Sequence, residues 1–126
     1  MIRWINEKEK EGSASFYETN LTLNSVAAAP FETVEYVRFG IDEAGNVVVA
    51  AVPFEDIERE LVDVKSCYKM VSHKGYARVS STALLRSIAS EINMKFGDKP
   101  LQFPTIWNEK DNHLIIRTGG LKTCQN

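Results

Sequence analysis

Five cations of the second half, Lys69, Lys74, Arg78, Arg86 and Lys95, carry the plainest chemistry in the chain. They fall on neighbouring predicted elements, and together they can neutralise several phosphates of a nucleic-acid backbone, which would make binding steeply salt-dependent. Tyr68 and Tyr76 lie among them and offer rings on which unpaired bases can stack. Alternation along a strand gives the same tyrosines an ordinary role as core filler. Arg78 and Arg86 have an ordinary role too, as solvated residues of a polar face.

Other chemistries find less support. His73 and His113 are the only imidazoles, and neither has companions at metal-ligand spacing or a nucleophile or carboxylate partner nearby in sequence. The cluster Glu55, Asp56, Glu58 and Glu60 lacks the alternation and glycine of a calcium loop, and reads as the wet face of a short helix. Glycines occur singly or as the pair Gly119-Gly120, never as a phosphate-cradling loop. Cys67 and Cys124 are far apart and read as two unrelated reduced thiols. No catalytic residue, metal site or cofactor is therefore predicted, and the expected class is a binding module, not an enzyme.

The chain has 126 residues, 44% of them hydrophobic and 25% charged, which suits one domain with one core. Its opening residues hold no apolar signal-peptide core, and no apolar run approaches the roughly 20 residues that span a bilayer. The expectations are a cytoplasmic location and no membrane partner. The net charge of -2 conceals an asymmetry. Residues 1–63 hold five bases against thirteen acids, net -8, and residues 64–126 hold ten against four, net +6. Such a division suits an anionic partner such as DNA, or halves that attract each other within one chain or between copies.

The elements that must position these residues follow from periodicity. Residues 17–23 alternate as a half-buried strand, and Asn24 or Ser25 can cap a short helical turn that Pro30 ends. Residues 33–41 and 47–52 flank a Gly-Asn reversal and predict a hairpin. Residues 67–71 and 76–80 predict a second hairpin, turning at Gly75. Ser80 and Ser81 can then cap the longest amphipathic pattern, Leu84, Leu85, Ile88, Ala89, Ile92 and Phe96, predicting a helix from Thr82 to the stop at Gly97. Residues 101–107 and 113–118 complete the set of strands, with Pro104 predicting an edge or bulged strand.

Both halves thus read strand, helix, strand, turn, strand. The predicted fold class is α+β, with two β-α-β-β units forming one mixed β-barrel-like or sheet body that carries one long amphipathic helix and one short one. The division is a polar arm over 1–13, a first unit over 14–53, a linker over 54–66, a second unit over 67–118 and a tail over 119–126.

The run Ala77-Arg78-Val79-Ser80-Ser81-Thr82-Ala83-Leu84-Leu85-Arg86 resembles the Gly-Arg-Val-x-Ile-Pro-x-x-Leu-Arg run of the AbrB and MraZ families of swapped-hairpin transition-state regulators. Ala77, Ser81 and Thr82 stand where those families have glycine, isoleucine and proline. The resemblance implies interlocked units, in a homodimer or as tandem copies in one chain. It also implies DNA-backbone contacts by Arg78 and Arg86, with Lys74 beside them. The expected function is a non-catalytic, DNA-binding regulatory module using the basic half. The alternative is a protein-interaction or accessory module that self-associates through its oppositely charged halves.

Overall fold

Alternating apolar residues dominate the chain, and they build strands wherever a turn lets neighbours pair. The computed structural model describes residues 1–2 and 11–120. Most of the predicted arm, most of the predicted tail and Cys124 lie outside the described residues. Among those described, nine strands run β1 Ser13–Phe16, β2 Asn20–Asn24, β3 Tyr36–Ile41, β4 Val47–Val52, β5 Tyr68–Lys69, β6 Val71–His73, β7 Tyr76–Ser80, β8 Leu101–Asn108 and β9 His113–Ile116. Three α-helices accompany them: α1 Ser25–Ala28, continued by a 3₁₀ turn at Ala29–Phe31, α2 Phe54–Glu58, and α3 Thr82–Ile92.

All nine strands join one sheet in the order β5-β3-β4-β9-β8-β1-β2-β7-β6, and every pairing is antiparallel. β5 and β6 stand at opposite ends of that order, yet only Met70 separates them in the chain. The sheet must therefore curl until its ends nearly meet. Met70 is buried at the junction and donates its N–H to the carbonyl of Glu35 at 2.9 Å.

The predicted fold class is corrected on two counts. The body is a nearly closed, wholly antiparallel barrel, not a mixed α+β body. No long amphipathic helix is present among the described residues. α3 has 11 residues and stops at Asn93, which takes the left-handed conformation (φ 60°, ψ 38°). Asparagine tolerates that conformation better than most residues. The N–H groups of Asn93 and Met94 both reach the carbonyl of Ala89, so the helix is closed a turn before Gly97. Met94 then packs into the core from irregular backbone, and Phe96 keeps the predicted apolar spacing without the helix.

Two further expectations change in detail. Of the alternation over 17–23 only residues 20–23 are strand, within β2, and residues 17–19 turn the chain back from β1, with the N–H of Tyr17 bonded to the carbonyl of Asn20 at 2.8 Å. β8 is interior, between β9 and β1. It accommodates Pro104 because the β8–β9 ladder ends there: Arg117 donates to the Pro104 carbonyl at 2.9 Å, and the return bond is the one a proline cannot make. The Gly-Asn reversal does join β3 to β4.

The pairing is symmetric under exchange of the two halves. β2 pairs with β7 and β4 with β9, while the hairpins β3–β4 and β8–β9 lie side by side. β1 bridges β2 to β8, and the broken strand β5–β6 bridges β7 to β3. Leu21, Leu23, Ala77 and Val79 point inward from one side of this ring, and Val47, Val49, Leu114 and Ile116 from the other; all are at most 1% exposed. Leu84, Leu85, Ile88 and Ile92 of α3 join the same core, and edge-to-face contacts pair Phe16 with Phe103 and Phe31 with Trp107. Each such aromatic pair adds about 1 kcal/mol to the area it buries.

Candidate nucleic-acid interface

Strand alternation decides which residues of the basic stretch reach the surface. Ala77 and Val79 fill the core, so Tyr76, Arg78 and Ser80 face outward on β7. Directly opposite them across the β6–β7 ladder stand His73, facing Tyr76, and Val71, facing Arg78. Lys74 and Gly75 form the turn, with Gly75 at φ 92°, a conformation that strains residues bearing a Cβ. Lys69 is exposed on β5, opposite Tyr36 of β3. Lys69 and Arg78 therefore face outward from the ribbon of β5, β6 and β7, broken at Met70, and Lys74 is exposed at its turn.

Arg86 and Lys95 are also exposed, but on other elements. Arg86 lies on the outer face of α3, and Lys95 follows the turn that ends it. Of the five predicted residues, three are brought onto the ribbon and two are presented by the helix segment.

The two tyrosines part company. Tyr68 packs against the core, its ring edge-to-face with Phe39 at 5.7 Å, because its partner across the ladder is the buried Val37. Tyr76 lies on the outside. The His73 ring stacks on it with centroids 4.6 Å apart and planes 20° apart, and the Arg78 guanidinium carbon lies 5.3 Å from its centroid. A cation over a tyrosine face is worth roughly 0.5–1 kcal/mol at an exposed site, so the contact favours Arg78 beside the Tyr76 ring.

Two residues of this surface escape the sequence reading. Arg38 and Tyr36 point outward from β3, and Tyr36 is the direct neighbour of Lys69. They belong to the acidic half, and only the long-range pairing of β3 with β5 places them beside the basic ribbon. The signal available in the sequence was the strand alternation of residues 36–41, which puts Arg38 opposite in phase to Val37.

The local scaffold is well bonded. Ser81 caps α3 by accepting from the Leu84 N–H at 3.1 Å, and its own N–H reaches the Thr19 carbonyl. Asn24 does more at α1: its Oδ1 accepts from Ala27 and Ser13 N–H groups, and its Nδ2 donates to the Glu11 carbonyl at 2.7 Å. Among the described residues no group of three or more His, Cys, Asp or Glu side chains is placed to hold a metal ion. No helix among them is long and apolar enough to cross a membrane.

Comparison of the chain with protein-family models, with curated proteins and with solved structures finds no match.

Proposed function

We propose that this protein is a non-catalytic, cytoplasmic, DNA-binding regulatory module, related to the swapped-hairpin regulators, whose contact surface is the outer side of β5, β6 and β7. The observation that carries the reading is that Lys69, Lys74 and Arg78 are all exposed on the short ribbon of β5, β6 and β7, with Arg38 exposed on β3, the strand that pairs with β5. Cations so arranged can follow a run of phosphates, and Arg86 and Lys95 extend the contact from α3. The exchange-symmetric strand order supports the family relationship, and the Arg78-to-Arg86 run supports it in sequence. The test is a titration of labelled duplex and single-stranded DNA at low salt, with Arg78→Ala and Arg86→Ala alongside the native chain. Binding that weakens in both variants supports the reading; no binding, or binding indifferent to both, removes it.

A second reading has its own observation. α2 buries none of its residues, and the connector around it exposes Phe54, Leu61 and Val64 by 57%, 69% and 52% among Glu55, Asp56, Glu58, Glu60 and Asp63. An acidic, apolar segment of this kind suits docking onto a basic surface, and the basic ribbon of a second copy exposes Val71 among its cations. Self-association into a homodimer through these oppositely charged parts is the interaction it favours.

A further inference from the structure

A cleft of about 320 Å³ opens beside the basic ribbon, between the tip of the β6–β7 hairpin and the wall formed by α1 and its 3₁₀ continuation. That is the size of a site for one small molecule, not for a length of polymer. Its two walls are tied together, since the Ser72 hydroxyl donates to the Phe31 carbonyl at 3.4 Å, and Phe31 is fully buried in the core. The cleft is therefore anchored to the barrel.

Its lining divides by chemistry. One side is formed by His73 and Tyr76, whose rings stack on each other, a pair that a third ring can extend on the side of His73. The facing side carries the Glu32 carboxylate and the Ser25 hydroxyl, acceptors for the N–H groups on the edge of a planar heterocycle. Lys74, in the hairpin turn, supplies a cation at the same site. A flat stacking surface, an edge acceptor and a cation are the three elements that an unpaired nucleobase with its phosphate requires.

We propose that this cleft takes a single unpaired nucleobase with its attached phosphate. The base stacks on the His73–Tyr76 pair, its N–H edge bonds to Glu32, and its phosphate pairs with Lys74. The proposal deepens the nucleic-acid reading and rests on it for the source of the base, since Arg78 of the ribbon lies over the ring of Tyr76, which lines the cleft. The same chemistry is offered by an unpaired position in a strand and by a free nucleotide.

The test is amide-resolved NMR of the full chain, titrated separately with the ribonucleoside monophosphates, with a short single strand and with a blunt duplex. The expected result is that mononucleotides and single strand both shift amides of residues 25–32 and 72–76. His73→Ala and Glu32→Gln should each weaken single-strand binding by about tenfold, and Glu32→Gln, which lies off the ribbon, should leave blunt-duplex binding and melting temperature unchanged. Blunt-duplex binding with no shift in those amides from any mononucleotide or single strand would overturn the cleft proposal and leave the ribbon reading standing. Mononucleotide shifts at the cleft without any Arg78-dependent binding of strand or duplex would support the cleft, as a free-nucleotide site, and remove the ribbon reading. Variants that bind single strand as tightly as the native chain would overturn the assignment of His73 and Glu32.

Discussion

The Thr118 hydroxyl donates to the Gly45 carbonyl at 2.8 Å and accepts from the Val47 N–H at 3.1 Å, so a residue just past β9 holds the turn of the β3–β4 hairpin. Thr118 is 1% exposed, and both bonds are buried. Removing the hydroxyl leaves a buried donor and a buried acceptor unpaired, each at a cost of about 1–3 kcal/mol. Thr118→Val should lower stability by about 2 kcal/mol or more, and Thr118→Ser, which keeps the hydroxyl, by distinctly less. Urea unfolding followed by circular dichroism measures both; equal midpoints for the two variants would show that the hydroxyl bonds carry little.

Asn24 joins three segments through one side chain. It caps α1 at Ala27, ties down the start of β1 at Ser13 and holds Glu11. Asn24→Ala should cost about 1–2 kcal/mol, the upper part of the range for removal of a cap. Asn24→Asp keeps the accepting oxygen and gives up only the bond to the Glu11 carbonyl, so its melting temperature should fall between those of Asn24→Ala and the native chain.

Leu85 and Arg86 are neighbours on α3 with opposite surroundings, one fully buried and one exposed. Leu85→Ala should destabilise the fold by about 2–5 kcal/mol, the usual cost of a truncated core leucine. Arg86→Ala should leave stability within about 0.5 kcal/mol of native, so any weakening of DNA binding in that variant reports on the interface and not on unfolding.

The exposed connector gives the second reading its own check. Phe54→Ser and Leu61→Ser remove side chains that are mostly in water already, and should leave the melting temperature nearly unchanged. If copies associate through this segment, sedimentation at low salt shows a dimer that dissociates at high salt and is absent in the double variant. A salt-independent monomer at every concentration would remove the reading.

What the sequence discloses about this fold is what its local periodicities disclose. Asp42 to Asn46 announces a reversal because glycine and asparagine are needed there, and Asp42 indeed bonds the Ala44 and Asn46 N–H groups. Ser81 and the spacing of Leu84, Leu85, Ile88 and Ile92 announce the start and the buried face of α3. The end of α3 is hidden because Phe96 keeps helical spacing from Ile92 while packing against the core from coil. Closure at Met70 is hidden for a different reason: the β6–β7 hairpin is announced by Gly75, but closure also needs β5 to find β3, a pairing that no local pattern encodes. For the candidate interface, the outward direction of Arg78 could be read from Val79, but the company of Arg38 and Tyr36 could not.

If Lys69, Lys74 and Arg78 bind phosphates together from one ribbon, the salt dependence of DNA binding reports it most directly. The dissociation constant for a labelled duplex, measured between about 50 and 200 mM salt, should rise along a steep double-logarithmic line. In the Lys69→Ala, Lys74→Ala, Arg78→Ala triple variant the slope should flatten by about three, near one for each phosphate that is no longer neutralised. A triple variant that binds with the native slope and affinity would contradict the account.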